Sequence, residues 1–169
     1  MQSGESFSDL LKEDNITVFT FVRHPFEKLV SVYNKNVIEL HSLNKVPRVS
    51  FPEFVEIVID SFGGGRPINI HWTPLIQTCH HCLVNYDIVG RMETFKEDVQ
   101  YIIMKNNLKD ILPPNIHPNN SSKKDTNSDT LEKFSQLNTT QIKKLYELYK
   151  LDFELFGYDI DTFLQPEIN

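Results

Sequence analysis

The sequence predicts an α/β fold, and three observations carry that prediction. Ile16 to Val22 is an apolar run of β-branched and aromatic residues broken only by Thr17 and Thr20. That composition suits a strand buried on both faces, as in a parallel sheet. The run passes at once, through Arg23, His24 and Pro25, into a segment where Phe26, Leu29, Val30, Tyr33 and Val37 recur at helical spacing. Further on, Tyr86-Asp-Ile-Val-Gly90 reads as a short strand, followed by a helical pattern from Thr94 to about Lys105.

Each element has a local reason. Pro25 suits the first turn of its helix, where a missing N–H is unpaired in any case. Ser50-Phe-Pro-Glu53 is a capping box that opens a second helix, with Phe54, Val55, Val58 and Ile59 as its buried stripe. Gly63-Gly-Gly65 ends that helix in a flexible loop. The stretch from His71 to Cys82 is irregular in pattern. Thr94-Phe-Lys-Glu97 predicts another capping box, and Val99, Ile102 and Ile103 face the core of its helix. From Asn106 to Asp129 the chain is rich in Pro, Asn, Ser and Lys, which predicts a long loop, mobile at its centre. A last amphipathic helix is expected from about Thr140 to Leu151, with Ile142, Leu145, Tyr146 and Tyr149 inward. Phe153-Glu-Leu-Phe-Gly157 then packs an aromatic end.

The chain's 169 residues fit one domain spanning 1–169, and no internal repeat is visible. A net charge of −6 means no global basic field, which argues against nucleic acid as a partner. It leaves room for an anionic ligand held by a local basic cluster. Arg48, Arg66, Arg91 and Lys45 are candidates for such a patch, toward a sulfated or carboxylated glycan; scattered solvated charges explain them equally well. No apolar run approaches the roughly 20 residues of a membrane span. The first residues lack the charged and apolar regions of a signal peptide, so on that ground the chain reads as cytosolic. Against it, Asn15-Ile-Thr17, Asn119-Asn-Ser121, Asn120-Ser-Ser122 and Asn138-Thr-Thr140 match the N-glycosylation pattern of a luminal protein.

The chemistry-bearing residues cluster after the first strand. Lys28, Ser31 and Lys35 sit three and four apart and share one helix face. With Arg23 at the strand end, that face offers a guanidinium fork, an ammonium and a hydroxyl beside a helix N-terminus, which matches a phosphate group. An ordinary solvated polar face explains the same spacing. Cys79 and Cys82 have three readings: zinc ligands with the nearby histidines, a redox pair, or a disulfide.

The stretch Phe21-Val-Arg-His-Pro-Phe-Glu-Lys-Leu-Val-Ser-Val-Tyr33 resembles the 3′-phosphate-binding motif of the Golgi carbohydrate sulfotransferases. More narrowly, it is similar to the branch that sulfates chondroitin, dermatan and related N-acetylgalactosamine or HNK-1 acceptors. Ile70-His-Trp-Thr-Pro74, Cys79-His-His-Cys82 running into Tyr86-Asp87, and Leu148-Tyr-Lys-Leu-Asp-Phe-Glu-Leu-Phe-Gly-Tyr158 resemble further segments of that branch, in order. Together they cover nearly the whole chain.

The resemblance implies a P-loop-type sulfotransferase fold, a parallel sheet flanked by helices with its N-terminal part missing. It implies sulfate transfer from 3′-phosphoadenosine 5′-phosphosulfate (PAPS) to a carbohydrate hydroxyl, with no metal. The implied nucleotide-binding residues are Arg23, Pro25, Phe26, Lys28 and Ser31, with Arg23 and Ser31 on the 3′-phosphate. His71 is the candidate base, an imidazole suited to taking the acceptor's proton; a structural histidine packed on Trp72 is the alternative. The implied partner is a chondroitin- or dermatan-like glycan. The implied location is the Golgi lumen, as a type II membrane protein whose anchor, like the Lys-containing 5′-phosphosulfate loop, is expected upstream of this chain. Without that loop the chain alone is expected to be nearly inactive. A non-catalytic nucleotide- or glycan-binding remnant and a zinc-binding interaction domain are the rival readings. For Cys79 and Cys82 the resemblance favours a disulfide, with each other or with cysteines outside this chain.

Overall fold

A computed structural model describes residues 16–38, 49–64, 68–110 and 126–164. The chain divides into two compact units, Met1–Val22 with Cys79–Asn120, and Arg23–Thr78 with Ser121–Asn169. The structure is α/β, with helices and a small parallel sheet.

In the first unit, β1 (Phe19–Val22) and β2 (Ile88–Arg91) pair in parallel, with Phe19 opposite Ile88 and Val22 opposite Arg91. The register is pinned at both ends. Asp87 N–H donates to Val18 O at 2.8 Å, and Met92 N–H donates to Val22 O at 2.8 Å. Gly90 lies close under the Phe21 ring: a Cβ there would lie 2.6 Å from its Cε1, so the ring would have to move. β1 is shorter than the apolar run predicts, and it is not buried on both faces, because Phe19 remains 49% exposed while Val22 is buried. The helix after β2 runs from Phe95 to Lys105, with Ile102 and Ile103 buried. The capping box expected at Thr94 does not form. Asp98 takes its place: its Oδ2 accepts from Arg91 N–H and from the Thr94 hydroxyl, each at 2.7 Å.

The second unit is helical. Number its helices with that of the first unit in chain order: α1 (Pro25–Val32), α2 (Phe51–Phe62), α3 (Leu75–Thr78), α4 (the Phe95–Lys105 helix above), α5 (Thr126–Phe134) and α6 (Thr139–Phe156). α1 continues into a π-helical stretch, Tyr33–Ile38, and a 3-10 turn at Asp161–Phe163 follows α6. α1 packs on α5 and α6, and α2 packs on α6. Phe26, Leu29 and Val30 from α1 and Tyr33 from the π-helical stretch meet Phe51, Phe54, Val55 and Val58 from α2 and Ile142, Leu145, Tyr149 and Phe153 from α6. The Phe26 ring stacks on Phe134 of α5 at 4.3 Å between centroids.

The α2 capping box forms as predicted: Ser50 N–H donates to Glu53 Oε2 at 2.8 Å, and Glu53 N–H to Ser50 Oγ at 3.4 Å. The Ser50 hydroxyl, which donates to Glu53 Oε2 at 2.6 Å, and then the Ser50 N–H hold the Glu53 carboxyl below its usual range. α6 is longer than expected at both ends. An unforeseen capping box, Asn138 with Gln141, starts it, and Gly157 in the left-handed region (φ 63°) stops it. The predicted loop ends earlier than Asp129, because Thr126–Phe134 is helical. Its composition is polar, but Thr130 and Phe134 point into the core, and tertiary burial outweighs weak local propensity. Lys45, Arg48, Arg66, the loop centre at 111–125, the Val37 side chain and the sequons at Asn15, Asn119 and Asn120 lie outside the described residues.

Candidate functional site

The start of α1 is fixed by an unusual cap. His24 Nδ1 accepts from Phe26 N–H at 3.2 Å, and Nε2 lies 3.2 Å from Asp159 O. An N–H must find an acceptor and a carbonyl a donor, so the ring is the neutral tautomer with its proton on Nε2. Its faces and edges are enclosed by Phe26, Phe153, Tyr158 and Phe163, with centroids 5.1–5.7 Å away. His24 is thus a packed hinge pin between the helix start and the segment after α6. Pro25 stands at the first helical position, as its fixed φ favours. Pro25 and Phe26 are buried, so their side chains serve the core.

The polar face of α1 carries donors with spare capacity. The Arg23 side chain is 24% exposed, and its Nε lies 3.4 Å from Glu27 Oε2. Its two terminal nitrogens make no hydrogen bond among the described residues. The half-buried Ser31 hydroxyl also makes none among the described residues. Both belong to the second unit, with Ser31 two helical turns beyond Arg23. Lys28, between them, sends its ammonium to Thr73 O at 2.5 Å. Lys35 is exposed, on the π-helical stretch.

Thr73 belongs to the segment that carries His71, and this segment is tethered on several sides. Asn69 Oδ1 accepts from His71 N–H at 3.0 Å. The Trp72 indole N–H donates to Ser61 Oγ at 3.3 Å, and Tyr149 OH donates to Trp72 O at 2.5 Å. Asp152, only 1% exposed, accepts from Leu75 N–H at 2.6 Å and Ile76 N–H at 2.9 Å. It thereby satisfies the open amides that begin α3. Burial, with the Asp152 charge adding to it, pushes the Tyr149 phenol far above its usual range. Tyr149 therefore remains a donor at any working pH. The His71 side chain is exposed, and its ring makes no hydrogen bond among the described residues.

The residues that the sequence offers as site candidates, Arg23, Pro25, Phe26, Lys28, Ser31 and His71, all lie in one unit. From the sequence His24 and Asp152 receive no role, and Tyr149 is named only as an inward-facing residue of the last helix. Asp152 left one readable signal: a carboxylate on the stripe that runs Tyr149, Asp152, Phe153, Phe156 has to be bonded if it is buried.

In the first unit, Cys79 and Cys82 are both free thiols, so the disulfide between them is not formed. Tyr86 OH donates to Cys79 O at 2.6 Å, and the His81 ring packs on Tyr86 at 4.8 Å. Among the described residues no three His, Cys, Asp or Glu side chains gather as metal ligands. No helix among those residues is long and apolar enough to cross a membrane.

Comparison with known proteins identifies relatives. The model of the family described as "Sulfotransferase family" matches residues 3–159. Carbohydrate sulfotransferase 11 of Mus musculus is 31% identical over 171 residues, covering 87% of this chain and 48% of that protein. Carbohydrate sulfotransferase 9 of Homo sapiens is 32% identical over 168 residues, covering 84% of this chain and 37% of its own length. Carbohydrate sulfotransferase 8 of Mus musculus is 29% identical over 168 residues, covering 84% and 40%. The chain spans about half the length, or less, of these relatives. No solved structure gives a significant match.

Proposed function

The chain belongs to the sulfotransferase family, and from that premise we propose that it is part of an enzyme that moves sulfate from PAPS to a glycan hydroxyl. The observation that carries this reading is the uncommitted donor pair of Arg23, just before α1, and Ser31, in its last turn. A half-buried guanidinium and hydroxyl, with no other hydrogen bonds for the Arg23 terminal nitrogens or Ser31 among the described residues, suit the 3′-phosphate of the nucleotide. The α1 N-terminus adds peptide dipoles of the right sign. Pro25 and Phe26 take a supporting role, holding the helix start in place from the core.

In the proposed reaction the acceptor hydroxyl oxygen attacks the sulfur of the donor. The S–O bond to the 5′-phosphate breaks as the new S–O bond forms. His71 takes the hydroxyl proton, and 3′,5′-ADP leaves. An exposed imidazole on a tethered loop suits that role. The leaving phosphate needs its own cradle. None of the residues assigned to the site is proposed to hold that phosphate, and this polypeptide by itself is proposed to bind nucleotide and transfer little sulfate. A chondroitin- or dermatan-like acceptor and a Golgi-lumen setting complete the proposal, in line with relatives named as carbohydrate sulfotransferases.

The test is calorimetric titration of the chain with 3′,5′-ADP. Arg23→Ala should weaken binding by about 10- to 100-fold, the worth of charge-assisted hydrogen bonds. Ser31→Ala should weaken it less. No binding by the unsubstituted chain removes the nucleotide reading. Robust transfer of sulfate to a glycan by the chain alone removes the inactivity.

A further inference from the structure

We propose that Lys28 is a positioning residue that couples occupancy of the α1 phosphate site to the order of the His71–Pro74 segment. The proposal rests on the nucleotide reading above and deepens it.

The geometry separates Lys28 from its neighbours on the same face. Arg23 and Ser31 keep donor capacity available, whereas the Lys28 ammonium is already placed 2.5 Å from the Thr73 carbonyl. That carbonyl lies next to Trp72 and two residues from His71. On the far side, the same segment is held by Tyr149 OH on Trp72 O and by the Asp152 carboxylate on the amides of Leu75 and Ile76. Both of those tethers come from the buried face of α6 and are fixed by the core. Lys28 comes instead from α1, one turn from Ser31. It is the tether that can respond to a ligand.

An ammonium has three donors and no acceptor. It can keep one on Thr73 O while another turns to a phosphate oxygen beside Ser31. A flexible four-carbon stem loses rotamer freedom when its end is held at two points. A bound 3′-phosphate therefore stiffens Lys28, and through Thr73 O it stiffens the segment presenting His71. The nucleotide and the acceptor-side base become ordered together, without any new contact between them.

The chain has one tryptophan, Trp72, and it sits inside this segment. Its quenching by acrylamide reads the order of the segment directly. Titrating the unsubstituted chain with 3′,5′-ADP should lower Trp72 quenching in step with calorimetric binding. In Lys28→Met, measured at a nucleotide concentration that saturates the variant, the ligand-induced loss of quenching should disappear. Lys28→Arg should restore it, since a guanidinium can also reach both acceptors. Tyr149→Phe removes a different tether; it should raise quenching in the absence of ligand yet keep the ligand-induced loss. The coupling is overturned if Lys28→Met responds like the unsubstituted chain, or if Tyr149→Phe loses the response. No calorimetric binding to the unsubstituted chain overturns the nucleotide reading itself and the coupling with it.

Discussion

The helical unit and the unit holding the sheet bury their apolar residues to different degrees. In the first, rings from α1, α2, α5 and α6 interlock, and Phe26, Val55, Val58 and Leu145 have no exposure. In the second, β1 and β2 pair in good register, yet Phe19 and Val89 stay 49% and 47% exposed. Every residue argued to touch nucleotide or acceptor belongs to the helical unit. The lesson is that the strand leads the chain to the site, but the helical core holds the site in shape.

Four substitutions sharpen that contrast. Phe26→Ala should have the largest effect. It removes a fully buried ring stacked on Phe134 and edge-packed on Phe153 and Phe163, at a cost of about 3–5 kcal/mol. Thermal or urea unfolding reads it, and a loss under 1 kcal/mol would break the contrast. Asp152→Asn comes next. The carboxylate's two backbone hydrogen bonds, one of them then facing an amide NH2, are worth about 1.5–3 kcal/mol. Gly90→Ala probes the sheet. Its added Cβ collides with Phe21, but that ring is only half-buried and has room to swing, so a loss of about 1 kcal/mol is expected. A loss as large as that of Phe26→Ala would show a core in the sheet unit as tight as the helical one.

The smallest effect is electrostatic. The Glu53 carboxyl is held below its usual range by Ser50, so the unfolded chain binds its proton more readily than the folded one. Its contribution is present above the unfolded pKa and fades as pH falls through the lower folded value. In Glu53→Gln the acid limb of stability against pH should be shallower. An unchanged acid limb would mean that the cap contributes nothing ionic.

Much of this was legible in the sequence. The 3.6-residue pattern located α1 and α2, and Ser50 with Glu53 marked a cap that forms. The segment from Thr126 was not legible, because its helix depends on Phe134 finding the Phe26 ring, a contact far apart in sequence. The Thr94 cap does not form, and the Thr94 hydroxyl instead donates to Asp98, a choice that spacing alone does not make. At the candidate site, residue types suggested which side chains could act as donors. They did not reveal that His24 pins the helix start or that Lys28 turns toward Thr73, since both depend on what folds back against α1.

If Arg23 holds the 3′-phosphate as proposed, its pairing with Glu27 sets a valence threshold. An anion arriving at the guanidinium meets a counter-charge already 3.4 Å from its Nε. Chloride, with one charge and no directional acceptors, gains little by joining such a pair. A phosphate monoester carries about −1.5 to −2 charge at neutral pH and three acceptor oxygens. It can hold the free edge of the guanidinium while Glu27 keeps the other. On the proposed nucleotide reading, the Arg23–Glu27 pair therefore favours a phosphate over a halide by charge number and by acceptor geometry.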